Sequence, residues 1–340
     1  MGDTDRVWFS ADLPAGFPTR NRIVRSCDRA GFNRNGVYIQ VEGKPRYWVK
    51  YGRRSLIRSE GRTQARVAGV VNANPANAFR IPHVYLGFSR GKRGYIVMDF
   101  VLGATIAQRK LPNGSYDKKD IKAVAAAVQQ LIDIRMPANT APGPFGGGLI
   151  GHDFFVESLS SITYPSVAHL EAQINEVLRL SQNNLRVDFQ TETANGLVLC
   201  PSDPNDSNFI IDEGGTLWAI DFGRTSFLPP SFVSYSLRSS SDRFVQSIAS
   251  HIICPMSANL PAMWAASGML VIFNDNTLGA VQPPSGSIAR SDCQTSLAMS
   301  TLEVSQRAIR VIFDEIPTEH PLAVMDARDV ADRMADGVLC

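Results

Sequence analysis

Cysteine is scarce and scattered: five in 340 residues, at positions 27, 200, 254, 293 and 340. No C-x-x-C pair occurs, which argues against a disulfide framework and fits reduced thiols inside a cell. The five histidines (83, 152, 169, 251 and 320) show no H-x-x-x-H and no His/Cys pairing at ligand spacing, so zinc is not expected. The longest apolar run, Leu260 to Phe273, is interrupted by Ser267 and Gly268 and falls short of a bilayer. The N-terminus has no basic-then-apolar leader, and Arg6 stands where a myristoylation signal needs Ser or Thr. A cytoplasmic protein without a membrane partner is the expectation. An excess of one charge is also missing: 34 Lys and Arg against 32 Asp and Glu give +2, which speaks against nucleic acid as a partner. With 44% hydrophobic and 19% charged residues the chain is not a disordered one.

What the sequence does have is uneven. Residues 1–97 carry 18 basic and 6 acidic side chains, a balance of +12, and residues 98–340 carry 16 and 26, a balance of −10. Local texture changes at the same place. Ile23 to Cys27, Val37 to Val41 and Tyr47 to Tyr51 are short β-branched and aromatic runs with turn residues at Asn35-Gly36 and Glu42-Gly43-Lys44-Pro45, and they read as strands of a small antiparallel sheet. Ser55 to Val71 reads as a helix, and His83 to Phe88 and Tyr95 to Val101 as two more strands. Beyond Gly103 the helical period takes over. Ile121, Val124, Ala125, Val128, Leu131 and Ile132 share one face, as do Val167, Leu170, Ile174, Val177 and Leu178. Short strands are expected at 197–200, 208–211 and 217–220, and a late helix over Ser296 to Glu315. Domain boundaries follow: a β-rich lobe over 1–97 and a larger, mainly helical lobe over 98–340.

Two carboxylates carry the chemical signal. Asp203 is followed five residues later by Asn208, and Asp221 opens Asp221-Phe222-Gly223, the D-x-x-x-x-N and D-F-G patterns of phosphoryl transfer. A strand, the turn Asp212 to Gly215 and a second strand lie between them, so both acids fall at one end of a hairpin. Magnesium needs oxygen ligands, which Asp221 and Asn208 supply. Asp203 is the candidate to orient an acceptor hydroxyl and take its proton. Upstream, Lys50 ends a strand where an ammonium can hold nucleotide phosphates, and Glu60 in the next helix can pair with it. The segment Met98, Asp99 and Val101 leaves a strand where the lobes join, a place to offer backbone groups to an adenine edge.

Taken in order, Lys50-Tyr51-Gly52, Glu60, Ile81 to Tyr85, Tyr95 to Gly103 and the Asp203/Asn208/Asp221 set resemble the aminoglycoside phosphotransferase-like kinases, and specifically their fungal branch. Phe154-Phe155, the helix around Asn175 and Phe227 to Phe232 fit the same branch, so the resemblance covers roughly residues 23–235. It implies an α+β, bilobal protein-kinase-like fold with a small antiparallel β-rich N-lobe and a larger helical C-lobe. It implies ATP and Mg²⁺ as cofactors, bound through Lys50, Glu60, Met98, Asp99 and Val101 and through Asn208 and Asp221, and Asp203 as the catalytic residue. The partner it implies is a small molecule with an acceptor hydroxyl, and the acidic balance of 98–340 suits a cationic one.

Three features depart from the pattern. Pro201-Ser202 precede Asp203 where the family writes His-Gly, and the His is the usual brace of that loop. No G-x-G-x-x-G occurs; Ala30 to Gly36 is the only candidate phosphate loop. Lys50 and Glu60 are ten residues apart, a short spacing that suits the fungal branch. Lack of an A-P-E segment after Asp221 argues against a protein substrate. Two other readings stay open: a catalytically impaired kinase-fold binding or scaffold protein, and a kinase fold recruited to other metabolite chemistry. Cys200 beside the catalytic loop reads as a buried thiol, and Gly146-Gly147-Gly148 as a loop.

Overall fold

The computed structural model describes residues 5–31, 36–137, 139–254 and 256–280. Strand β1 (Arg6–Ser10) and helix α1 (Arg20–Ala30) come first, followed by β2 (Val37–Val41) and β3 (Lys44–Arg53). Helix α2 (Arg54–Val71) starts directly off β3, with Arg53 as both last strand residue and N-cap. That junction has no loop, which is why a Lys and a Glu only ten residues apart can still face each other. After β4 (Phe79–Arg80), the hairpin β5 (Val84–Arg90) and β6 (Arg93–Asp99) completes an antiparallel sheet in the order β1-β5-β6-β3-β2.

The two faces of this sheet do different work, as the two-residue side-chain period requires. Tyr47, Val49 and Tyr51 of β3 pack with Ile23, Val24 and Cys27 of α1. Trp48 and Lys50 point the other way, Trp48 packing with Met98, Ile96, Val84 and Ile57. The structure corrects one expectation here: residues 23–27 are helical. Thr19 caps α1 by accepting from the Arg22 N–H, and Ile23, Val24 and Cys27 lie on one helical face at i, i+1 and i+4. A five-residue apolar run fits either period, and the cap decides it.

Strand β7 (Gly103–Thr105) leads into the helical part: α3 (Lys118–Ile132), β8 (Arg135–Met136), α4 (Val167–Leu180) and α5 (Phe189–Glu192). Then come β9 (Leu197–Pro201), the hairpin β10 (Phe209–Asp212) and β11 (Leu217–Ala219), and β12 (Thr225–Leu228). Helices α6 (Pro230–Arg238), α7 (Arg243–Ala249) and α8 (Leu260–Phe273) follow. Two small sheets, β4-β11-β10-β7 and β12-β9-β8, are embedded in one large core that includes Phe154, Phe189, Phe232 and Phe244. Architecture is therefore mixed α+β, an antiparallel sheet followed by a mainly helical part. No helix among the described residues is long and apolar enough to cross a membrane. The helix expected at Ser296 to Glu315 lies outside the described residues, as do Phe32 to Asn35 of the candidate phosphate loop.

Close approach explains one glycine. A Cβ at Gly103 would fall onto the Ile211 carbonyl and within 2.9 Å of the Asp212 Cα, so only glycine lets β7 pair with β10.

Candidate active site

Two adjoining elements and one distant piece of chain meet at the Lys50 ammonium. Projecting from β3, it donates to Glu60 Oε1 of α2 at 2.7 Å and to Asp221 Oδ1, just past β11, at 2.8 Å. Glu60 is buried and Lys50 nearly so in its side chain, 18% exposed. Burial alone would lower the Lys50 pKa, but the Glu60 and Asp221 carboxylates outweigh it and hold it above the ordinary lysine value. Burial likewise works against an ionised Asp221, and Lys50 overcomes it, leaving that carboxyl below its usual range. Burial pushes Glu60 up to about 7 against the pull of Lys50. Two carboxylates thus share one cation, and Asp221 is the more firmly ionised of the two.

The turn carrying Asp221 is built for this approach. Asp221 has φ 60°, a left-handed conformation that costs a non-glycine residue roughly 1–3 kcal/mol and collects at functional sites. Its Oδ1 also accepts from the Gly223 N–H at 3.1 Å. A Cβ at Gly223 would come within 3.2 Å of Asp221 Oδ1 and 3.3 Å of Glu60 Oε2, so the last residue of the D-F-G triplet makes room for the ion-pair group.

Asp203 and Asn208 occupy one loop at the far end of the β10–β11 hairpin from its turn. The Asn208 side-chain N–H₂ donates to the Asp203 carbonyl at 2.8 Å, and the Ile220 N–H donates to the Asn208 carbonyl at 2.9 Å, tying this loop to the strand that delivers Asp221. Asp203 Oδ1 accepts from Asn205 Nδ2 at 2.8 Å, while Oδ2 lies 3.9 Å from the Arg224 guanidinium. Pro201, in the place of the family's bracing His, ends β9 opposite Thr225, and Ser202, in the place of the Gly, is buried with its N–H donating to the Arg224 carbonyl at 3.0 Å, extending the β9–β12 pairing by one bond. Cys200 is buried in β9 and its thiol is pushed up to about 12 by burial, which removes it as a nucleophile.

The three hinge positions are not equivalent. Met98 is buried on the Lys50 face, its sulfur accepting from Gln64 Nε2 at 3.2 Å. Asp99 is committed: its N–H goes to the His83 carbonyl, and its carboxylate accepts from the His83 N–H and the Tyr85 hydroxyl, both at 2.8 Å. Among the described residues, the Val101 backbone forms no hydrogen bond.

Two features escaped the sequence reading. Trp48, two residues before Lys50 and so on its face, stands opposite Met98 with Phe100 at 6.5 Å and Tyr38 at 6.0 Å from Phe100, an aromatic shelf beside the hinge. Alternation along β3 was the signal that could have found it. The second is a strap. Residues 143–148 cross α2, with the Ser59 hydroxyl donating to the Gly147 carbonyl, the Phe145 N–H donating to Thr63 Oγ1 at 3.0 Å and Arg66 over the Phe145 ring at 5.7 Å. Gly143 exchanges two backbone bonds with Phe227 of β12, so the strap joins the helix bearing Glu60 to the strand after Asp221.

No protein-family model matches the chain, and no curated protein matches it. Solved structures do. An aminoglycoside phosphotransferase from Streptomyces rimosus is 14% identical, covering 73% of this chain and 96% of its own, with a TM-score of 0.39. A choline kinase from Streptococcus pneumoniae is 13% identical over 72% and 83%, with a TM-score of 0.37. A macrolide 2'-phosphotransferase from Brachybacterium faecium is 10% identical over 76% and 91%, with a TM-score of 0.39. At such values the likeness carries nothing about chemistry, which rests on the site's own geometry.

Proposed function

We propose that this chain is an ATP- and Mg²⁺-dependent phosphotransferase acting on a hydroxyl of a small molecule in the cytoplasm. Residues 1–97 form its nucleotide-binding lobe and residues 98–340 its catalytic and substrate lobe. The observation that carries this reading is the Lys50 ammonium bonded at once to Glu60 and Asp221 from three separate elements. The ten-residue spacing and the run Phe227 to Phe232 support the fungal branch of the aminoglycoside phosphotransferase-like kinases, and the −10 balance of residues 98–340 supports a cationic acceptor.

The donor set fits magnesium. Asp221 Oδ1 and the Asn208 amide nitrogen are both committed, whereas Asp221 Oδ2 and Asn208 Oδ1 have no hydrogen-bond partner among the described residues. Two uncommitted hard oxygens, one on a carboxylate held ionised, suit a hard cation. Asp221 and Asn208 would hold the ion, which would supply positive charge against the phosphates. Lys50, held by Glu60, orients the α- and β-phosphates. Trp48 and Phe100 give the base an apolar face, and the Val101 backbone is free to read its edge. Asp203 accepts a hydrogen bond from the acceptor hydroxyl and takes its proton as that oxygen bonds the γ-phosphorus and the bond to the leaving nucleotide oxygen breaks.

Calorimetry with Mg-ATP tests this directly. Wild type should bind, Lys50→Met should lose binding at least tenfold, and Asp203→Asn should bind normally while turnover across a panel of amino-alcohols and sugars falls by a hundredfold or more. Absence of binding by the folded wild type would sink the proposal.

The Arg224 guanidinium beside Asp203 favours one second reading, a kinase-fold protein that binds nucleotide without transfer. A cation facing the carboxylate competes with the hydroxyl it should receive. Nucleotide binding with no phosphorylated product across the same panel would select it.

A further inference from the structure

A second concavity, of about 650 Å³, lies between the segment leading into α3 and helix α7, away from Lys50 and Asp221. Lys118 and Lys122 project into it from successive turns of α3, and Arg243 from the start of α7. His251 adds an imidazole and Tyr116 and Ile121 an apolar floor, while the hydroxyls of Ser115, Ser247 and Ser250 are spent on Asn113 Oδ1 and on the Arg243 and Ser247 carbonyls. The lining contains no carboxylate. Among the described residues, the charged ends of these three cations form no ion pair and no hydrogen bond, unlike Lys50, Arg90, Arg109, Lys110 and Arg179. The acids nearest in sequence face elsewhere. Asp117 and Asp242 cap their own helices, accepting from the Lys119 N–H at 2.8 Å and the Phe244 N–H at 2.6 Å, and buried Asp120 is held by Arg109.

Like charges gathered in a concave site focus a positive potential that a counter-ion relieves. We propose that this pocket is a binding site for a small phosphate-bearing anion. Two ammonium groups and a guanidinium fork supply charge-assisted donors, and the floor accommodates a small organic body. Tyr116 connects the site to the loop of Asp203: its hydroxyl donates to Asp206 Oδ2 at 2.8 Å, where Lys110 also binds at 2.9 Å. An occupant beside Tyr116 therefore sits one side chain from the proposed catalytic loop.

Inorganic pyrophosphate, titrated into the full chain at low salt without divalent cation, is the probe. To separate this pocket from the nucleotide cleft, the titration is made in Lys50→Met as well as wild type. Binding should persist in Lys50→Met, weaken at least tenfold in Lys118→Ala/Lys122→Ala, and weaken similarly in Arg243→Gln. All three substituted side chains are exposed, and circular dichroism confirms that each variant is folded. Binding that Lys50→Met abolishes, or that the lysine and arginine variants leave unchanged, overturns the site, as does no binding at all; none of these outcomes sinks the kinase reading.

Discussion

Lys50 is ordinary in its sequence setting and decisive in its spatial one. The sequence reads it as a strand-end lysine, usually solvated; the structure sets it inside β3, with Glu60 and Asp221 meeting at its ammonium. Trp48 offers a direct optical test of the neighbouring base site. Because the indole is half-buried at the hinge, Mg-ATP should quench its fluorescence. Trp48→Ala should raise the ATP dissociation constant about tenfold, matching the ~1–3 kcal/mol of base–aromatic stacking, while leaving inorganic triphosphate binding nearly unchanged. A full quench retained in Trp48→Ala would move the base elsewhere. His152 makes a prediction in pH. The Phe154 N–H donates to Nδ1 at 2.9 Å, so the proton sits on Nε2, which faces the Phe232 carbonyl and the Ser236 hydroxyl. Burial lowers its pKa to about 4. The folded imidazole thus stays neutral while the unfolded one takes a proton near 6.5, and stability present above that pH is lost as pH falls toward 4. Over that window the loss amounts to roughly 3 kcal/mol. Nitrogen chemical shifts of His152 should show a neutral ring at pH 5.5, and melting temperature should fall below pH 6.5; a ring that titrates near 6.5 in the folded protein contradicts both.

At the scale of elements, β7 depends on Gly103. Replacing it with Ala forces the new methyl against the Ile211 carbonyl, so β7 must separate from β10. The expected cost is about 1–3 kcal/mol, read as a lowered denaturation midpoint; an unchanged midpoint would mean that the pairing is dispensable. Elements were legible in the sequence where period and punctuation agreed. Helices α2, α3 and α4 announce themselves by one apolar face, and the hairpin β10–β11 by its Asp-Glu-Gly-Gly turn. Helix α1 did not, because Ile23 to Cys27 is too short for its period to show and its cap at Thr19 lies four residues upstream. Strand β12 did not either: Thr225 to Leu228 is a strand because it pairs with β9, a partner over twenty residues away that no local pattern reveals. For the site, residue types and order exposed Lys50, Glu60, Asp203, Asn208 and Asp221, whereas Arg224 and the strap follow from packing alone.

For the molecule as a whole, the charge division predicts a salt effect. With +12 on residues 1–97, nucleotide polyphosphate meets a positive field, and the dissociation constant for Mg-ATP should rise several-fold between 50 and 300 mM salt. Affinity independent of salt would show that the basic residues are merely a solvated surface. The strap over α2 reaches further. Ser59, Thr63 and Arg66 fasten the helix of Glu60 to a segment that Gly143 fastens to β12. Swinging that helix away from Lys50 would break all of these at once, so the ion-pair group comes ready-made with the folded chain. In the proposed phosphotransferase, the helix of Glu60 would need no separate ordering step before turnover.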